Sequence, residues 1–178
     1  MTDKPIPESY WVAPDHFLAG GYPASTRGDE AFTRQRLTAF LGAGFDTFFD
    51  LTRPGELPPY LPFLLEEAAH YGISINYQRV NIQNKGLPSH GQMAALLDAL
   101  DAALAAGHKV YLHCWGGIGR TGTTVGCWLV RHGLAGKQAM IRLNELYQTS
   151  EQSSLFHHSP ETDAQAQFIL NWADDGLA

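Results

Sequence analysis

The order of segments along the chain predicts an α/β fold: a central, largely parallel sheet of about four to five strands flanked by helices. Three observations carry that prediction. Short aromatic and aliphatic runs of strand length alternate with longer segments of helical period. A glycine-rich turn, HCWGGIGRTG (113–122), follows the last of those runs directly. The chain has 178 residues, 44% of them hydrophobic, which suits one domain over 1–178 with its own core.

The elements follow in order. FDTFFDL (45–51) sits between a glycine and the loop TRPGELPP and reads as a buried strand. INYQRVNI (75–82) is a second strand and KVYLH (109–113) a third. Between these two, Met93, Leu96, Leu97, Leu100 and Leu104 recur at three- and four-residue spacing, with Ser89 as N-cap and Gly107 as stop. That is one face of a helix. RTGTTVGCWLVRHG, after the glycine turn, reads as a buried helix. GKQAMIRLNELYQ reads as an amphipathic helix with Met140, Ile141, Leu143 and Leu146 inward. SPETDAQAQFILNWA opens like a helix, with Ser159 as cap, Pro160 at the first helical position and Glu161 in the first turn. In sheets of this type the ligand crevice lies at the carboxyl ends of the strands, where HCWGGIGRTG falls.

Charge and composition narrow the function. With 12 Lys+Arg against 18 Asp+Glu the formal net charge is −6. That balance argues against nonspecific binding to nucleic acid or an anionic membrane, but not against a small phosphorylated ligand. The two cysteines, Cys114 and Cys127, make no disulfide framework or zinc pattern. The polar opening MTDKPIPESY is no signal pattern, and no apolar run has membrane-spanning length, so a cytoplasmic protein is expected.

The glycine turn carries the chemistry. Gly116, Gly117 and Gly119 let successive N–H groups turn around one centre, and the following helix adds its unpaired N–H groups and positive dipole end. The result is a cradle for a tetrahedral oxyanion, to which Arg120 adds a planar fork of donors. A thiol at the floor of such a cradle is stabilised as thiolate, since cysteines at helix N-termini or beside cations ionise well below ~8.5. The Thr121 hydroxyl is placed to stabilise the sulfur as a leaving group. This set suits attack on phosphorus, a covalent phosphocysteine and its hydrolysis. A buried structural cysteine in a tight turn would explain neither Arg120 nor the glycine density.

HCWGGIGRTG resembles the phosphate-binding loop of the protein tyrosine phosphatase superfamily, whose signature is HCxxGxxR followed by Ser or Thr. Its place late in the chain resembles the compact dual-specificity branch, of bacterial type, rather than the low-molecular-weight branch. The similarity runs from about YWVAPDHFLAGGYP (10–23) to the final helix. The resemblance implies a phosphatase fold with Cys114 as nucleophile, Arg120 as phosphate clamp and Thr121 assisting thiolate departure. It places the phosphate on the backbone of Trp115, Gly116, Gly117, Ile118 and Gly119. It implies no cofactor and no metal, and as partner a phosphorylated protein or a small phosphate monoester.

One position departs from the family. The general acid is usually an aspartate on a loop before the cysteine, and the matching segment VNIQNKGLPS (80–89) has Asn84 there. An amide has no proton to transfer at neutral pH, and general acid catalysis is typically worth about 10²–10⁴-fold. The expectation is a slow phosphatase biased toward good leaving groups, with Asp50 and Glu56 as substitute acids to be tested by geometry. Two rivals stand beside it: a binding module for phospho-ligands without turnover, and a sulfur-transfer enzyme of rhodanese type. Cys127 is expected in the core, His157 and His158 in solvent, Trp115 either as a wall of the crevice or packed on a neighbouring helix, and Arg53 and Lys85 on loops facing the crevice.

Overall fold

Alternation along the strands sorts the apolar residues into two layers, one on each face of the sheet. In the computed structural model, which describes residues 3–173, the strands are β1 (Ser9–Ala13), β2 (Phe17–Gly20), β3 (Thr47–Asp50), β4 (Asn76–Arg79) and β5 (Val110–His113). Their spatial order is β1-β2-β5-β3-β4. The hairpin β1–β2 is antiparallel and every other pairing is parallel. Leu18, Phe48 and Tyr111 face helices α1 (Glu30–Gly42) and α2 (Leu61–His70) through Leu37, Phe40 and Leu64. Phe17, Phe49 and Leu112 face the opposite layer, built by α3 (His90–Ala105), α4 (Gly119–Arg131), α5 (Gly136–Tyr147) and α6 (Asp163–Leu170). The described residues therefore form a five-stranded, mostly parallel sheet flanked by six α-helices.

This topology places the glycine turn. β5 lies at the centre of the sheet, its neighbour β3 continues into the layer of α2, and β5 itself continues into the layer of α4. The carboxyl end of β5 is thus a point where connections leave to opposite faces, which opens a crevice over Cys114. α4 is buried almost all round, from Gly119 through Cys127, as the central helix of its layer.

Most elements lie where periodicity puts them. The three predicted strands appear trimmed at their ends, and α3 carries Met93, Leu96, Leu97 and Leu100 inward with Leu104 half-buried. Ser89 caps α3 reciprocally with Gln92, and Gly107, at φ 84°, follows its last turn. Three readings need correction. Ile141 is 63% exposed, because α5 packs through Ala139, Leu143 and Tyr147, one step round from the expected face. The cap of the last helix is Thr162, not Ser159: the Thr162 side chain accepts from Gln165 N, and the Gln165 side chain answers on the Thr162 backbone. That reciprocal pair starts α6 at Asp163 and leaves Pro160 and Glu161 in the loop before it. The sheet also holds a hairpin, β1–β2, and α1 and α2 flank the sheet, all in segments to which the sequence reading assigns no element.

Candidate active site

The loop is built by carbonyls turned outward. The Trp115 carbonyl accepts from Tyr22 N at 2.8 Å, and the Ile118 carbonyl accepts from Ser159 Oγ at 2.8 Å. In those two peptides the N–H groups of Gly116 and Gly119 point the other way. The N–H groups of Trp115, Gly116, Gly117 and Ile118 donate to nothing among the described residues. Unpaired backbone donors in a row are costly unless an acceptor arrives, so the loop is prepared for an anion. Gly117 sits at φ 74°, and a Cβ there would meet Gly20 C at 2.3 Å. No other residue fits.

Cys114, 3% exposed, lies at the floor of a cavity of about 310 Å³. Trp115, Arg120, Asn84, Phe156 and Glu161 share its lining. Trp115 and Phe156 are each about half exposed and form an aromatic rim. A larger groove, about 550 Å³ between β4 and α3, is lined by no cysteine or arginine and offers no comparable chemistry.

Arg120 is held from several sides. Its Nη1 donates to Glu56 Oε2 at 2.9 Å, Ile82 O at 2.9 Å and Leu51 O at 3.3 Å. Its Nη2 donates to Glu56 Oε1 at 2.5 Å and Asn84 Oδ1 at 3.4 Å. Burial works against the guanidinium charge, but Glu56 and the Cys114 sulfur outweigh it and raise Arg120 above its ordinary value. Glu56 answers in kind. Burial alone would push its carboxyl up, yet the bonds from Arg120 and from the Arg53 N–H hold it below the usual range. The bidentate pair fixes the plane of the guanidinium over the cavity.

A second network lies beneath the loop. Asp50 accepts from Thr52 N and Oγ1, from Tyr77 Oη at 2.7 Å and from Arg79 Nη2 at 2.9 Å. Burial raises this carboxyl, but the field of His113 and the hydroxyls of Thr52 and Tyr77 bring it down to about 2. His113 is wholly buried, and burial pushes it below its ordinary value. Its Nε2 meets Tyr60 Oη at 2.8 Å and its Nδ1 meets the Cys114 carbonyl at 3.1 Å, which ties the start of the loop to α2.

The residues singled out from sequence are thus partly gathered and partly dispersed. Cys114, Arg120, Asn84 and the loop Trp115–Gly119 surround one cavity. Glu56 reaches it through Arg120, as a partner of the guanidinium rather than a free acid. Asp50 is fully buried in the network below, ionised and absent from the cavity lining, which is no position for a proton donor. The Thr121 hydroxyl donates to the Gly20 carbonyl at 3.4 Å. Arg53 is exposed and does not line the cavity, and Lys85 pairs with Glu161 at 3.3 Å. Cys127 is buried in the core, where burial pushes its thiol far up. The described residues hold no group of three or more His, Cys, Asp or Glu arranged for a metal, and no helix long and apolar enough to cross a membrane.

Sequence reasoning missed Glu161 as a site residue. Read as part of a helix start, it had only a dipole to complement; in the loop before α6 its carboxylate lines the cavity. No local signal marks it. The T-x-x-Q box at Thr162–Gln165 is the feature that would have moved the helix start and released it.

A fold with this topology, holding a Cys-x5-Arg loop between its central strand and central helix, defines the cysteine-based phosphatase class. Residues 10–169 match the model of the PTP-SAK family, described as a Swiss Army Knife protein, DSP-PTPase phosphatase domain, and the chain belongs to that family. It is 32% identical over 135 residues to the mouse protein tyrosine phosphatase domain-containing protein 1, covering 68% of this chain and 17% of the mouse protein. The chain thus matches about one sixth of that relative's length. Among solved structures, Tk-PTP in the active form aligns with TM-score 0.68 at 21% identity, over 92% of this chain and 94% of the other. The kinase associated phosphatase, in a form whose catalytic-site cysteine is replaced by serine, aligns with TM-score 0.71 at 16% identity, over 91% and 90%. These likenesses show the protein tyrosine phosphatase fold.

Proposed function

We propose that the protein is a cysteine-dependent phosphatase that hydrolyses phosphate monoesters, phosphotyrosine or phosphoserine/phosphothreonine in proteins, through a phosphocysteine intermediate. The observation that carries this reading is the run of unpaired N–H groups from Trp115 to Ile118 around the Cys114 thiol, with Arg120 clamped beside it. Bound phosphate oxygens accept from those N–H groups and from the guanidinium, which neutralises the charge that grows in the transition state. The sulfur attacks phosphorus in line with the departing oxygen, and water then attacks the S–P bond and restores the thiolate.

The residue at the family's acid position donates no proton here. Asn84 turns its carbonyl oxygen toward Arg120 and belongs to the clamp. The half-exposed rings of Trp115 and Phe156 line the cavity, as suits an aryl group on the ester. Phosphotyrosine is therefore the favoured substrate class. Family membership and the Arg120 clamp favour phosphoryl over sulfur transfer.

The test is to trap the intermediate. Acid quench during turnover of an aryl phosphate, followed by peptide mass spectrometry, is expected to find phosphate on Cys114, and Cys114→Ser is expected to abolish both adduct and phosphate release. Tight binding of the phosphoester with neither adduct nor release overturns the reading and leaves a phospho-ligand-binding module.

A further inference from the structure

We infer that Glu161 is the proton donor and acceptor of the site, in the part left vacant by Asn84; this rests on the phosphatase reading above. The inference begins with position. The Glu161 carboxylate lines the same cavity as Cys114 and Arg120, and its Oε2 lies only 3.0 Å from where a Cβ on Gly119 would stand. A carboxylate oxygen therefore lies beside Gly119, the last glycine of the loop. Asp50 is sealed below the sheet end, and both oxygens of Glu56 are taken by Arg120. Among the described residues Glu161 is the carboxylate left in the cavity lining.

The second strand of the inference is how firmly it is held. Gln165, fully buried, accepts from the Glu161 N–H and the Thr162 N–H at 3.1 Å each, and its Nε2 donates to the Gly86 carbonyl at 3.2 Å. Lys85 Nζ adds an ion pair to Glu161 Oε1 at 3.3 Å. One buried amide thus joins the Glu161 backbone to the turn that carries Asn84. The side chain itself stays 30% exposed, which leaves it room to meet a substrate. Lys85, Arg120 and Cys114 are the charged or titratable groups facing it from the neighbouring elements, together with Tyr147 of α5, which feels its charge.

A phosphate monoester arriving as its monoanion brings a proton into the cavity, and that proton passes to the Glu161 carboxylate. Cys114 Sγ forms a bond to phosphorus and the ester P–O bond breaks. The electron pair goes to the departing oxygen, which takes the proton from Glu161. The carboxylate so formed accepts a proton from water as the water oxygen bonds to phosphorus. The S–P bond breaks, its pair returns to sulfur, and phosphate takes the proton back from Glu161 and leaves as its monoanion, which restores the carboxylate.

The experiment is kcat/KM across pH for aryl phosphates of graded leaving-group acidity, with wild type, Glu161→Gln and Asn84→Asp. Unfolding midpoint and inorganic-phosphate binding are followed in parallel to show that each variant is folded. Glu161→Gln is expected to lose about 10²-fold on the phenyl ester but only a few-fold on the p-nitrophenyl ester, and to lose the basic limb of the profile. Asn84→Asp, whose carboxylate would meet Arg120 in the clamp, is expected to shift all the esters alike and to keep the basic limb of the profile. A Glu161→Gln loss equal on all esters with an unchanged profile overturns the inference, as does no loss. A large gain from Asn84→Asp with Glu161→Gln silent overturns it too and places proton entry at residue 84. Wild type that hydrolyses nothing and forms no phosphocysteine instead removes the phosphatase reading itself, and this inference falls with it.

Discussion

At the scale of single residues, the site is decided by what each charged group already holds. Arg120 makes two bonds to Glu56 and keeps its plane because of them. Removing that partner leaves the 1%-exposed guanidinium on the Leu51 and Ile82 carbonyls and Asn84 alone, without the carboxylate that sets its plane. Glu56→Gln is expected to lower kcat/KM by about 10²-fold, since misplacement of a clamp by an ångström costs that much, and to raise the KM for phosphate esters. Steady-state kinetics with an unfolding curve will show it. The residues of the loop were legible from sequence because their constraints are contiguous: a thiol, glycines and an arginine within one turn. Glu56 was legible only as an acidic side chain near a predicted strand, since its bond to Arg120 spans a separation of 64 residues. No local pattern encodes that pairing.

At the scale of elements, α4 shows glycine serving contact rather than flexibility. A Cβ on Gly126 would stand 2.4 Å from Ile169 Cδ1, and one on Gly119 would meet the Gln165 amide at 2.9 Å. These glycines let α6 and the loop before it lie directly on α4. Gly91, by contrast, at the second position of α3, has nothing within 4 Å of its added Cβ. Gly126→Ala is therefore expected to destabilise by about 1–3 kcal/mol although alanine is the better helix former. Gly91→Ala is expected to be neutral or to stabilise by up to ~0.5 kcal/mol. Urea denaturation of the two variants separates packing from propensity. The same contacts explain a misread boundary. Ser159 looked like a cap from its neighbours in sequence, but its hydroxyl is taken by the Ile118 carbonyl of the loop. Thr162, with Gln165 to complete the box, begins the helix instead. The helix α3 was visible from periodicity alone, and α4 from its place after the glycine turn. The β1–β2 hairpin and α1 were not, because strands of five and four residues and a helix burying only Thr33, Leu37, Phe40 and Leu41 leave too short or sparse a pattern.

At the scale of the whole molecule, the buried network under the sheet end sets the response to acid. Burial holds folded His113 below its ordinary ~6.5, so the unfolded chain takes the proton first. Stability from this group is complete above about pH 6.5 and falls as pH drops through that value. Asp50, brought down to about 2 in the folded state, titrates near 3.9 when unfolded. Its contribution is present above that value and is lost between ~4 and ~2. Both groups act in one direction: the protein is expected to lose thermal stability on acidification in two stages. Unfolding midpoints across pH will show the stages, and His113→Gln will flatten the first.

By itself the sequence determined the cradle and the layers. A strand feeding Cys-x5-Arg through three glycines can fold locally in few ways, and apolar spacing at two and at three to four residues sets which faces turn inward. The tertiary structure alone decided which carboxylates serve that cradle. Asp50, Glu56 and Glu161 are chemically alike along the chain. Long-range packing seals the first under the sheet, binds the second to Arg120 and leaves the third at the cavity wall. Burial and charge partners come from residues far apart in sequence, so they exist only once the chain has closed around its core.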